Sequence, residues 1–155
     1  MQVMEKVRFA TDLVEEIDKK AIARLKRENA ELRQKLDQLS SLLDNLPGMA
    51  YRCLNDENYT FEYASKGARE FLGVSTEQMV GAYAFRQLVP KEDQQQNFEV
   101  LSRLTPDNDA FTLVYRLRSA QGEYRWIHER GKALFSPEGA LIALDGLLTD
   151  ITDQK

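Results

Sequence analysis

Phe111 to Thr152 reads FTLVYRLRSAQGEYRWIHERGKALFSPEGALIALDGLLTDIT, and its pattern decides the fold. Three runs within it, Phe111–Arg118, Tyr124–Phe135 and Ala140–Thr149, are rich in β-branched, aromatic or alternating apolar residues, the composition of strands. The connections, Ser119–Glu123 and Ser136–Gly139, are short. Each carries a glycine where a hairpin turn needs positive φ. Two tight turns between three strands make an antiparallel meander, which leaves its last strand through the polar triplet Asp150-Ile151-Thr152.

Upstream, Leu46-Pro47-Gly48 ends a long polar helix, because proline cannot continue it and glycine permits the turn. Strands are predicted at Met49–Leu54 and Thr60–Ala64, joined by the polar loop Asn55–Asn58. Ser65 is placed to cap a helix over Lys66–Leu72. Ser75 and Gln78 form a capping-box pair for a second helix, Thr76–Val80, stopping at Gly81. One further helical turn is expected in Ala82–Val89. After Pro90 comes the longest interior helix, Lys91–Leu104, with Phe98, Leu101, Gln94 and Leu104 expected on its inner face, and Thr105-Pro106-Asp107-Asn108 breaks it.

These pieces resemble a PAS domain in order and spacing. The loop ending Gly122-Glu123, then Tyr124-Arg125-Trp126-Ile127, Gly139 and the final Asp150-Ile151-Thr152 are similar to the C-terminal half of that family. Leu46 to Cys53, Phe61 to Ser65 and Phe71-Leu72-Gly73 are similar to its opening strands and first helix. Leu88-Val89-Pro90-Lys91-Glu92-Asp93 resembles the entry to its long helix, with Lys91 where the family often has proline. The match covers roughly residues 42–153. It implies an α+β fold: a five-stranded antiparallel sheet of order 2-1-5-4-3 with helices on one face. An N-terminal helix would occupy residues 1–46, and the PAS domain residues 47–153.

Within residues 1–46 a heptad runs from Ile22. Ile22, Asn29, Leu36 and Leu43 fall at a; Leu25, Leu32, Leu39 and Leu46 fall at d, which predicts a coiled coil over 22–46. Asn29 is the polar seam residue that fixes register, and Glu28 at g would meet Arg33 at the partner's following e in a parallel homodimer. The alternative is an amphipathic helix packed on its own domain. Before Ile22 the apolar series Val3, Val7, Ala10, Val14, Ile17 is one residue out of phase. Residues 1–17 are therefore expected to form a separate helix or one folded back. The basic residues Lys19, Lys20, Arg24, Lys26 and Arg27 suggest a DNA-binding arm, but Asp12, Glu15, Glu16 and Asp18 in the same helix would repel phosphates.

The 155 residues amount to one domain with an extension, 43% hydrophobic and 30% charged. A net charge of −4 argues against general binding to nucleic acid or lipid surfaces. No apolar run is long enough to span a bilayer, and no signal-peptide core is present. A single cysteine, Cys53, rules out an intramolecular disulfide framework and fits a reducing compartment, so the expectation is cytoplasmic.

One histidine, one cysteine and no conspicuous paired acids give poor material for catalysis or for a metal site, and the chain is expected not to be an enzyme. A triad would need His128, whose sequence neighbours Ile127 and Glu129 point to the opposite face of a strand. Flavin-binding members of the resembled family carry a reactive cysteine where this chain has Gly81-Ala82-Tyr83-Ala84-Phe85-Arg86-Gln87. Haem-binding members usually place a histidine on the long helix, and Lys91–Leu104 has none. The expectation is therefore no cofactor, with an unknown small molecule held between sheet and helices as the remaining option. The residues to line such a pocket are Tyr51, Cys53, Phe61, Tyr63, Phe85, Phe98, Phe111, Tyr115, Trp126 and His128; the alternative is that most are plain core.

What the resemblance implies about function is a sensory and dimerisation module of a bacterial signalling protein, of the histidine kinase or cyclic-dinucleotide enzyme type. It would carry a change in its core through flanking helices, leaving by Asp150 and Thr152 toward an effector beyond Lys155. The alternatives are a constitutive dimerisation scaffold without ligand and a flavin- or haem-based receptor.

Overall fold

In the computed structural model, which describes residues 2–80 and 85–154 (the backbone alone at Phe71), the chain divides into two units, Met1–Ser41 and Leu42–Lys155. The division falls a few residues before the expected 46/47 boundary. The reason is that the last helical turn belongs with the second unit, where Asp44 accepts a hydrogen bond from the Lys66 N–H at 2.8 Å.

Helix α1 (Gln2–Asp44) runs 43 residues without a break, about 65 Å of axis. Residues 2–17 are thus neither a separate helix nor folded back at the phase slip. A strict heptad drifts about 20° backwards per repeat on a straight helix, whereas one extra residue advances about 100°. The slip at Ala21–Ile22 therefore offsets most of the drift of the other repeats. Val3, Val7, Val14 and Ile17 end up on the same face as Leu25, Leu32, Leu36 and Leu39, and every one of these side chains is more than half exposed. Leu43 is half-buried, and Leu46 lies past the helix end, in the turn that leads to Gly48.

The second unit is a sheet covered by short helices. Its strands are β1 (Met49–Leu54), β2 (Phe61–Ala64), β3 (Ala110–Arg118), β4 (Tyr124–Phe135) and β5 (Leu141–Asp150). The five strands lie in the order β2-β1-β5-β4-β3, antiparallel throughout, as expected. Both hairpin glycines, Gly122 and Gly139, have positive φ. Helices α2 (Gly67–Leu72), α3 (Thr76–Met79) and α4 (Lys91–Ser102), with a 3-10 turn at Phe85–Leu88, connect β2 to β3. The capping box at Ser75 and Gln78 forms as expected. Ser65 does not cap α2. Its hydroxyl accepts from the Ala50 N–H at 3.0 Å and closes the β1–β2 corner instead. The expected stop at Gly81 and the start of the Ala82–Val89 segment lie outside the described residues.

One sheet face carries the core. Met49, Tyr51, Phe111, Tyr115, Leu117, Ile127, Leu144 and Leu148 pack against Ala68, Leu72, Met79, Phe85, Val89 and Leu101. Helix α4 also closes the β3 edge. Asp93, buried at its start, accepts the Arg116 backbone N–H at 2.7 Å and holds the Arg116 guanidinium through both carboxylate oxygens. That grip sets the rotation of α4, turning Asn97 and Leu101 inward and leaving Phe98 55% exposed, contrary to expectation.

Candidate functional site

Strand alternation brings Tyr51, Tyr115 and Glu129 to the inner face of three different strands. Glu129 is 6% exposed on β4, directly opposite Leu148 of β5. Tyr115 on β3 donates its hydroxyl to one carboxylate oxygen at 2.6 Å. Tyr51 donates to the other from β1, reaching across β5. It can do so because Gly146 lies beneath its ring: a Cβ there would stand 2.8 Å from the tyrosine oxygen. The two tyrosines thus hold the acid from strands on either side of β4, all on the inner face.

Burial pushes the Glu129 carboxyl above its usual range, and the two hydroxyl donors only partly oppose that. Burial, then the neighbouring acid, holds both tyrosines protonated. The Cys53 thiol, buried beside them, is pushed up in the same way, so it is not a reactive thiolate.

Above this floor is a cavity of about 40 Å³, as swept by the centre of a water-sized sphere. Its walls include Tyr59, Phe61, Phe85, Val89, Leu101, Leu113, Leu144 and Leu148. Phe61 stands edge-to-face with both Tyr51 (5.6 Å) and Phe85 (5.2 Å). Tyr59 adopts a left-handed backbone, φ 53°, which is costly for a residue with a Cβ and is maintained where its ring meets the cavity. Arg86, Gln94 and Asn97 complete the lining. Arg86 donates to the Gln94 side-chain oxygen and the Glu57 carbonyl, and the Gln94 amide donates to the carbonyls of Arg86 and Val89.

Of the residues singled out from sequence, the cavity gathers Tyr51, Cys53, Phe61, Phe85 and Tyr115. Phe111 is buried but packs over Gly131, away from the cavity. Trp126 and His128 stand on the opposite face of β4 from Ile127 and Glu129; Trp126 faces Arg116, whose guanidinium lies 6.0 Å from its ring centre. Tyr63 pairs with Arg52 on that outer face, and Phe98 is on the exposed side of α4. Glu129 was missed, yet it shares strand parity with the buried Ile127 and Ala133, a signal readable from sequence. Among the described residues no three potential ligands cluster to hold a metal ion, and no helix is long and apolar enough to cross a membrane.

The two chain junctions lie at one end of the sheet. Met49 pairs with Leu148, so the entry to β1 and the exit of β5 are side by side rather than at opposite ends of the pair. Gly48 backs onto the Leu148 carbonyl with no space for a side chain. At the exit, Asp150 accepts from the Thr152 N–H at 2.9 Å, from the Thr152 hydroxyl and from Arg125 at 2.7 Å. The Thr152 hydroxyl oxygen in turn accepts the Trp126 backbone N–H, fastening the exit to β4. Burial raises the Asp150 carboxyl, but the Thr152 and Arg125 bonds outweigh it and hold the acid below its usual range.

The fold has counterparts. No curated protein matches the chain. An RNA-binding light-oxygen-voltage receptor is similar over 76% of this chain at 14% identity, with a TM-score of 0.61; the chain spans 33% of that protein's length. The N-terminal domain of a diguanylate cyclase with PAS/PAC sensor from Marinobacter aquaeolei is 19% identical, with 69% of this chain and 97% of that one covered and a TM-score of 0.56. A sensory box histidine kinase/response regulator from Burkholderia thailandensis is 20% identical over 77% of this chain and 86% of that one, with a TM-score of 0.57. The sequence pattern described as the PAS fold matches residues 61–148, more than half of the chain, from β2 to the end of the β5 core. The chain therefore belongs to the PAS-fold family.

Proposed function

We propose that this chain is a cytoplasmic sensory module of a signalling protein, without catalytic activity of its own. It works as a parallel homodimer through α1 and passes a change in its core cavity to the segments that flank the domain. The observation that carries this reading is the position of Leu148. Its side chain lines the cavity while its backbone carbonyl abuts Gly48, the residue through which the chain arrives from α1. A change of occupancy that moves Leu148 is felt at Gly48 and at the adjoining exit. Only an occupant with different affinity for two states can drive such a shift. The neighbours named for a histidine kinase and a diguanylate cyclase support an effector of one of those types.

A cavity of about 40 Å³ is far below the roughly 300–1,000 Å³ of pockets that hold drug-sized ligands or cofactors. This favours a small occupant, and the purified protein is expected to show neither a flavin spectrum nor a Soret band. The same size supports a second reading, a constitutive dimerisation scaffold with a filled core. Hydrogen exchange separates the two. Filling the cavity with Leu113→Phe should alter amide exchange at Leu46–Gly48 and Ile151–Gln154 in the sensor. Unchanged exchange at both junctions in a folded variant would leave the scaffold.

A further inference from the structure

We propose that the cavity is a site for a small alkylammonium ion, bound by Glu129 and enclosed by aromatic rings. This deepens the sensory reading above and rests on it. Both tyrosine hydroxyls spend their protons on Glu129, so once this acid is ionised the floor offers an incoming ligand only acceptors: the carboxylate oxygens and the remaining lone pairs of Tyr51 and Tyr115. A ligand that fits such a floor is a hydrogen-bond donor.

Charge selects among donors. Glu129 is buried, and among the described residues the influences on it are burial and the two tyrosines, with no basic side chain. The guanidinium in the lining, Arg86, is engaged with Gln94 and the Glu57 carbonyl. When Glu129 ionises, its charge is thus held by two neutral donors alone, and a bound cation supplies the missing partner. The walls select further. Tyr51, Tyr59, Phe61, Phe85 and Tyr115 all line the same cavity, and aromatic faces attract a cation while their carbon surface favours attached methyl groups. A carboxylate among five aromatic rings is chemistry suited to an organic ammonium rather than to a bare, strongly hydrated metal ion. The space, about 40 Å³ to the centre of a water-sized sphere, accommodates roughly three or four heavy atoms.

Binding should also be linked to protons. The titratable groups facing Glu129 are Tyr51 and Cys53 from β1 and Tyr115 from β3, with Tyr59 beyond them; all four are pushed upward and stay protonated at neutral pH. Glu129, raised but still the most acidic of these groups, is the one whose ionisation puts a charge in the cavity, so ammonium affinity should rise with pH as this acid ionises.

The test is calorimetric titration and thermal shift of the full chain with methyl-, dimethyl- and trimethylammonium chloride. Potassium chloride at equal ionic strength, 2-propanol and sodium acetate serve as controls. The expected result is saturable binding of at least one ammonium, tighter at pH 8 than at pH 5, and at least tenfold weaker in Glu129→Gln. The amide of that variant can still join both tyrosines, which favours folding; should it fail to fold, Tyr115→Phe and the pH dependence of the wild type carry the test. No saturable binding by any ammonium up to about 50 mM, or equal binding by Glu129→Gln, overturns the proposal. Saturable binding of 2-propanol or acetate alone overturns the ligand class and leaves the sensory reading standing, since that reading is decided by the exchange response to Leu113→Phe.

Discussion

Met49 stands directly opposite Leu148 in the β1–β5 ladder, so the residue that opens the sheet is paired with a residue that walls the cavity. Both side chains are essentially inaccessible to solvent. Leu148→Ala should cost about 2–5 kcal/mol in urea unfolding, through lost burial and the enlarged cavity. Its more informative effect is on exchange: amides of Met49–Tyr51 should lose protection before those of β3. Uniform loss across the sheet would mean that β5 does not couple selectively to the α1 junction.

Asp93 and Asp150 give the domain an acid limb. Arg116 holds the first below the usual carboxylate range, and the Thr152 and Arg125 bonds do the same for the second. With folded values depressed, their contributions are present above the unfolded value near 3.9 and are lost as pH falls through the folded values. Asp150→Ala should destabilise by about 1–2 kcal/mol at pH 7 and by much less near pH 2. Stability measured in urea from pH 2 to 7 checks this. If an effector follows the domain as proposed, the same variant joined to it should respond less to stimulus while remaining folded.

Glu129 acts with the opposite sign. Its folded value is raised, so its contribution is complete below the unfolded value of about 4.3 and is lost as pH rises through the higher folded value. Glu129→Gln should remove that decline, so the urea midpoint of the variant should gain on wild type as pH increases from 4 to 8. Parallel profiles for the two proteins would show that Glu129 does not titrate in this window.

The exposed stripe of α1 makes a prediction about assembly. Each leucine buried against a second copy contributes on the order of 1.5–3 kcal/mol. Leu32→Lys combined with Leu39→Lys should yield a monomer whose second unit stays folded. Asn29→Val should raise the melting temperature and broaden the range of oligomers, because a polar a residue restricts alternatives. Because the phase slip keeps Val7 and Val14 on the same face, Val7→Lys with Val14→Lys should weaken the dimer as well. Sedimentation velocity reads all three. An unchanged mass for the leucine double variant would rule out the zipper.

What could be read in the sequence was whatever repeats with a fixed period. The meander of β3, β4 and β5 was legible because period-two alternation and turn glycines are local, and the apolar stripe of α1 because apolar residues recur every seven. Which face of β4 points inward was not settled by alternation alone. Aromatic content favoured Trp126 and His128, whereas parity with Ile127 and Ala133 puts Glu129 inside. Helix α4 misled for a related reason. Its inward side is built from Asp93, Asn97 and Leu101 around a tether to Arg116, so its one aromatic, Phe98, faces out. The acid between two tyrosines is a product of register across strands 78 and 14 residues distant in sequence, and no short stretch announces it.

The same tether has a bearing on how the protein behaves at high concentration. Strand β3 ends the sheet, and an edge strand with unpaired amides is a template on which another chain can add a strand. Asp93 occupies the Arg116 amide towards the end of that margin and holds the Arg116 guanidinium, a bulky charge, beside it. A side chain from a helix thus serves as a stopper against strand addition. Asp93→Ala would leave the margin open, and slow fibrillar aggregation of a protein that still folds is the failure to look for in storage.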